Sequence, residues 1–222
     1  MKTTEALQRR VVEELAWDPQ VDSSDIAVTI EDACACLAGH VSSYSEKLAA
    51  EAAARRVVGV RSVVDKITVR VPTFYRDEDT IVANNAITSL QFDARLASER
   101  IKVVVEKGWI KLEGDVKWFF QKEAAEQAVA KLRGVKGITN NLTVAPGVPV
   151  SEVHGKIAAA FKREADIDAA QIKIETDGGR VILRGSVRSW SERRAAESAA
   201  YRAPGVTEVI NELVVDVPVI SM

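Results

Sequence analysis

Two cysteines and a histidine, Cys34, Cys36 and His40, are the residues whose types and spacing come nearest to a chemical site in this chain. On a strand, positions 34, 36 and 40 share a face, so two thiols and an imidazole would lie along one sheet surface, donors that soft metal ions accept. A fourth ligand is not evident. Alternate strand residues stand about 6.5 Å apart with parallel side chains, which disfavours a disulfide between the two cysteines. The expectation is free thiols and no metal site. His154 has no serine, cysteine or paired carboxylate at a useful spacing and reads as a solvated helix position, as does the acidic pair Glu13-Glu14. No phosphate loop, dinucleotide fingerprint or zinc-hydrolase motif occurs. The chain is therefore expected to have no catalytic residue, to bind no cofactor and not to be an enzyme.

The elements that would position such residues announce themselves by repetition. Gly39-His40-Val41, Gly114-Asp115-Val116 and Gly185-Ser186-Val187 are spaced 75 and then 71 residues apart, and Gly59-Val60, Gly134-Val135 and Gly205-Val206 keep the same offsets. The second glycine follows the first by 20 residues in each unit. Self-similarity at a fixed period divides the 222 residues into three units, expected over 1–71, 77–145 and 149–217. Net charge of −2, with 47% hydrophobic and 28% charged residues, is ordinary for a globular protein and excludes a binder of nucleic acid driven by a broad basic surface.

Each unit reads as α-β-β-α-β. A first helix is marked by Leu7, Val11 and Leu15, by Val82, Ala86 and Leu90, and by Val153, Ile157 and Phe161, all at a spacing of four that keeps them on one stripe. Alternation follows in Ile26, Val28 and Ile30 and its counterparts, as in a strand with one buried face. A hairpin turn comes next, at Lys107-Gly108 and Asp177-Gly178-Gly179; the first unit has Asp32-Ala33 there, which predicts a different or strained turn. The returning strand carries the first glycine, read as a place where a helix packs tightly. An alanine-rich helix follows, through Leu48, Ala49, Ala52 and Ala53 in the first unit, and the second glycine is expected at its left-handed C′ position before the last strand. The fold class is α+β: three tandem units, each a small mixed three-stranded sheet with two helices on one face. Prolines at 72, 146 and 149 stiffen the links.

This order of elements, with Gly-x-Val in the second strand and Gly-Val after the alanine-rich helix, resembles the BON domain, named for bacterial osmotic stress and nodulation. The resemblance covers nearly the whole chain in triplicate. It implies a non-enzymatic bacterial binding module of the osmotic and envelope stress response, with anionic phospholipid as the ligand, and it supplies no catalytic motif. The six glycines Gly39, Gly59, Gly114, Gly134, Gly185 and Gly205 are then structural.

Tyr44, Phe119 and Trp190 recur five residues after the first glycine, where the second helix begins, and Trp118 adds to the series. Their first reading is a hydrophobic staple or packing between units. A lipid-facing reading joins Trp118, Phe119 and Trp190 to the cations Lys122, Arg188, Arg193 and Arg194, because rings beside cations suit a headgroup region. Other readings are a cytoplasmic sensor of potassium, another monovalent cation or a small ligand, held by backbone carbonyls near the glycine turns, and a structural module that forms homo-oligomers through sheet edges and outer faces. Trp109, Val104, Ile182 and Val214 are predicted on those outer faces. No segment approaches a transmembrane span, the opening residues lack an apolar leader, and two cysteines make no disulfide framework, so a cytoplasmic location is expected.

Overall fold

The computed structural model describes residues 2–71, 78–96, 100–144, 153–164, 167–203 and 205–216; the links with Pro72, Pro146 and Pro149 lie outside them. The first repeat runs α1 (Lys2–Trp17), β1 (Ile26–Glu31), β2 (Cys34–Val41), α2 (Tyr44–Arg56) and β3 (Ser62–Val69). The second runs α3 (Asp79–Phe92), β4 (Arg100–Glu106), β5 (Trp109–Val116), α4 (Phe119–Ala130) and β6 (Gly137–Val144). The third runs α5 (Val153–Arg163), β7 (Ile172–Asp177), β8 (Arg180–Val187), α6 (Trp190–Tyr201) and β9 (Glu208–Val215). Three separate three-stranded sheets result, ordered β1-β2-β3, β4-β5-β6 and β7-β8-β9. In the first and third, the hairpin pair is antiparallel and the helical crossover adds the last strand in parallel.

Each core forms where the helical stripe meets the sheet. Leu7, Val11 and Leu15 of α1 are buried against Val28, Ala35, Leu37 and Val41, and the third repeat does the same with Val153, Ile157 and Phe161 over Val181, Leu183 and Val187. The alanines let the second helix approach closely, but the buried set is Ala50, Ala53 and Ala54, with Ala196, Ala199 and Ala200 in the third repeat. Of the residues marked in the first unit, Ala53 belongs to this buried set, while Leu48, Ala49 and Ala52 are half-buried.

The first glycine meets a strand rather than a helix. Gly39, Gly114 and Gly185 have φ of +140°, +131° and +126°, and a Cβ at each would overlap the carbonyl oxygen of Asp25, Arg100 and Gln171 respectively. These carbonyls belong to the residue at or just before the start of the neighbouring strand, so only glycine fits. The second glycine also departs from its expected place. α2 ends at Arg56, and Gly59 follows in a turn closed by the Val60 N–H donating to the Val57 carbonyl at 3.1 Å. Its φ of +104° is what the third residue of such a turn requires.

The glycine-free hairpin of the first repeat keeps a left-handed turn, with φ of +46° at Asp32 and +63° at Ala33. The strained form of the expectation is the one found. Ala33 holds it because its carbonyl accepts from the Arg61 N–H at 2.8 Å, the same bond that Gly108 makes with Lys136 and Gly179 with Thr207.

Candidate functional site

The residues at the start of the second helix are placed first by a capping arrangement. Ser43 and Ser189 accept from the N–H of Glu46 and Glu192 at the third helical position. The carboxylates of Glu46 and Glu192 turn back and are almost wholly buried. Glu192 accepts from the backbone N–H of Asp168 and of Arg188, both at 2.8 Å, and Glu46 accepts from Asp22 at 2.9 Å and Ser42 at 2.9 Å. Gln121 does the same work in the second repeat as a neutral amide, accepting from Lys117 and Trp118. Burial alone would raise the carboxyl pKa of Glu192, but hydrogen bonds from Asp168 and Arg188 outweigh it and the net shift is downward. The recurring Ser-x-x-Glu signal was open to sequence reading; the long-range reach to the loop before β1 and β7 was not.

This latch fixes what surrounds it. Arg193 donates from Nε to the Leu213 carbonyl at 3.0 Å and from Nη2 to the Asn211 carbonyl at 2.6 Å, with its guanidinium carbon 5.3 Å from the Trp190 ring centroid. Lys47 makes the matching bond to Ile67 in the first repeat at 2.7 Å. Phe119 stacks on Tyr201, ring centroids 3.2 Å apart and nearly parallel. Burial raises the phenol pKa of both Tyr44 and Tyr201. Among the residues read as lipid-facing, Phe119 and Arg193 are thus committed to packing, Trp190 and Lys122 are half-buried, and Trp118, Arg188 and Arg194 are exposed. Phe120, not singled out in the sequence, is 50% exposed beside Trp118.

A second set of exposed side chains lies at the end of the first helix. Trp17 closes α1 and is 84% exposed; Phe92, at the same offset of 75, closes α3 and is 85% exposed. The third position of the series, 71 residues on, is Arg163, exposed at the end of α5. Neither ring lies on its helix's buried stripe. Trp17 borders a shallow groove with Arg10, Arg56, Val57 and Val58, and Phe92 borders one with Arg95 and Lys131. Arg163 borders a groove floored by alanines and rimmed by Lys156 and Arg202. Ion pairs lie at the helix ends: Arg56 of α2 reaches Asp18 at 2.7 Å and Glu14 at 2.9 Å, Arg202 reaches Glu164 at 2.9 Å, and beyond α3 Arg95 makes a local pair with Asp93 at 2.6 Å. The hydrogen bond from Arg56 holds the Asp18 carboxyl below its ordinary range. The signal in the sequence is an aromatic off the apolar stripe at the same place in two repeats.

The outer sheet faces differ from repeat to repeat. Cys34 and Cys36 are half-buried and free, alternating with fully buried Ala35 and Leu37. In the third repeat the matching surface is crossed by ion pairs, Lys173 to Glu175 at 2.8 Å, Arg184 to Glu175 at 2.7 Å and Arg184 to Glu212 at 2.7 Å. In the second, Trp109 lies over Gly137, where a Cβ would overlap its ring. Trp109, Val104 and Val214 are exposed as predicted, whereas Ile182 is half-buried. Among the described residues no cluster of three or more His, Cys, Asp or Glu side chains could hold a metal ion. At the turns, the Ala33, Gly108 and Gly179 carbonyls accept from the Arg61, Lys136 and Thr207 N–H groups, and the Val57, Leu132 and Ala203 carbonyls accept from Val60, Val135 and Val206.

The chain is 29% identical over 62% of its length to osmotically-inducible protein Y of Escherichia coli, spanning 70% of that protein. It is 28% identical over 60% of its length to a 21 kDa hemolysin of Actinobacillus pleuropneumoniae, spanning 72% of it. It is 26% identical over 69% of its length to the outer membrane lipoprotein DolP of Haemophilus influenzae, spanning 83% of it. The relationship to an outer membrane lipoprotein overturns the cytoplasmic expectation and points to the envelope. That expectation leaned on the composition of the opening residues and on a count of cysteines. No helix among the described residues is long and apolar enough to cross a membrane. The BON domain model matches residues 3–71, 78–146 and 150–217, and with all three repeats matched the chain belongs to the BON domain family.

Proposed function

We propose that this protein binds anionic phospholipid surfaces through the ends of its first helices, as a non-enzymatic module of the osmotic and envelope stress response. One observation carries the reading: the equivalent position is Trp17, Phe92 and Arg163 in the three repeats, two rings more than four-fifths exposed and one exposed guanidinium. An exposed tryptophan or phenylalanine gains by entering the interfacial region of a bilayer, and an arginine there meets phosphate. α5 adds Lys156 and Lys162 and contains no acidic residue, which favours a negatively charged surface by about 1 kcal/mol per cation near it. Trp118, Arg188 and Arg194, with Phe120, form a second candidate contact at the start of the other helices.

Co-sedimentation with vesicles separates the two. Wild type is expected to pellet with phosphatidylglycerol-containing vesicles and not with pure phosphatidylcholine, and Trp17→Ala/Phe92→Ala to lose most of that binding, while Trp118→Ala/Arg194→Ala retains it. The reverse pattern moves the site to the second helices; no pelleting by wild type on any vesicle defeats the lipid reading.

A further inference from the structure

The geometry of the first repeat's outer face points to a metal site separate from the lipid-binding reading: we propose that Cys34 and Cys36 together bind one soft, thiophilic monovalent cation of the Cu(I) or Ag(I) class in two-coordinate form. Both thiols sit on β2, the central strand, on the face away from the helices, and both are half-buried. They are two residues apart in an extended strand, so their Cβ atoms stand about 6.6 Å from each other, well beyond the roughly 3.5–4.5 Å that a disulfide needs. The chain has no other cysteine, so neither thiol has an alternative partner for a disulfide within it.

The spacing that forbids a disulfide suits an ion held between two sulfurs. Two metal–sulfur bonds of about 2.3 Å laid end to end separate the sulfurs by about 4.6 Å, which each Sγ reaches by leaning roughly 1 Å toward the other. The flanking residues narrow the choice of ion. Cys36 lies between Thr29 and Val64 in register, and Cys34 between Glu31 and Ser62, so no third sulfur or imidazole is at hand. His40 is four residues along the strand from Cys36, about 13 Å away, and takes no part. Zinc, which asks for four ligands, is poorly served; an ion content with two thiolates is well served. The equivalent positions are Trp109 and Lys111, then Arg180 and Ile182, so the site is confined to one repeat. On binding, two S–H bonds break and two metal–sulfur bonds form, two protons leave to solvent, and the metal keeps its oxidation state.

Silver(I) is the probe, because it changes no redox state. Reduced full-length protein is titrated with Ag(I) in the presence of excess monothiol, and remaining thiols are counted with a disulfide reagent while native mass spectrometry counts bound ions. The expected result is one Ag(I) per chain with both thiols silenced together, and roughly a hundredfold weaker retention by Cys34→Ser and by Cys36→Ser, since each loses the second tethered ligand. Two Ag(I) per wild-type chain, one thiol left reactive at one equivalent, or an ion shared between two chains overturns the proposal. The stoichiometry is read on wild type, so the outcome stands even if a variant folds poorly.

Discussion

At the crossing of the first two strands, all three repeats carry glycine, because in each one a neighbouring carbonyl oxygen occupies the place of a Cβ. At the end of the first helix, the three repeats carry Trp17, Phe92 and Arg163, because the neighbour there is solvent. The contrast shows what each position reports. Where backbone meets backbone, one residue type satisfies every repeat. Where the side chain faces outward, the repeats are free to diverge, and the divergence carries information about what they touch. The glycine is accounted for by the backbone around it, whereas the core accounts for neither of the two large exposed rings at the helix ends.

The largest effect should come from breaking the invariant side. Gly185→Ala adds a methyl group over the Gln171 carbonyl in a backbone conformation alanine resists, and should cost about 3 kcal/mol or more by combining backbone strain with overpacking. A lowered urea midpoint of the third repeat, or failure to fold, checks it. The cap is next. Glu192→Ala leaves the Asp168 and Arg188 N–H groups without their acceptor and should cost about 2–4 kcal/mol, while Glu192→Gln, which copies Gln121, should cost about 1 kcal/mol. Because the folded pKa of Glu192 is depressed, its contribution is present above the ordinary carboxylate range near 4.3 and is lost as pH falls through the lower folded value. The stability difference between wild type and Glu192→Gln should accordingly shrink in acid titrations followed by circular dichroism.

How far this contrast could be read from sequence depended on the range of the interactions behind it. The repeat, its α-β-β-α-β order and the stripes through Val11 and Ile157 are local periodicities and were legible in full. The partner of Gly39 was not, because Asp25 approaches it through pairing between strands rather than through neighbouring sequence. The turns at Ser23–Asp25 and Ala169–Gln171 escaped for a similar reason: each is capped by its own aspartate, but it is also tied to a glutamate 24 residues away. Arg193 looked like a surface cation because nothing near it in sequence reveals that the Leu213 and Asn211 carbonyls lie within its reach. Trp17 and Phe92 were visible as aromatics off the stripe, but their exposure became a fact only once the helices were packed.

Smaller effects sharpen the same comparison. Ala33→Gly relieves a left-handed alanine in the one hairpin that lacks glycine and should stabilise the protein by about 0.5–1 kcal/mol, read as a raised denaturation midpoint. Trp17→Ala should change stability by less than about 0.5 kcal/mol, because the ring buries little surface in the folded protein, yet it should weaken vesicle binding. A substitution that leaves the fold alone and removes the binding separates the outward-facing positions from the structural ones.

The most direct measurement uses tryptophan as its own reporter. With Trp109, Trp118 and Trp190 replaced by phenylalanine, the fluorescence of Trp17 alone is followed in vesicles whose acyl chains carry bromine, a contact quencher. Quenching in vesicles containing phosphatidylglycerol, and its absence in pure phosphatidylcholine, is the predicted result. An unquenched Trp17 in a protein that still pellets with the anionic vesicles would contradict the assignment of the first-helix ends as the membrane-contacting surface.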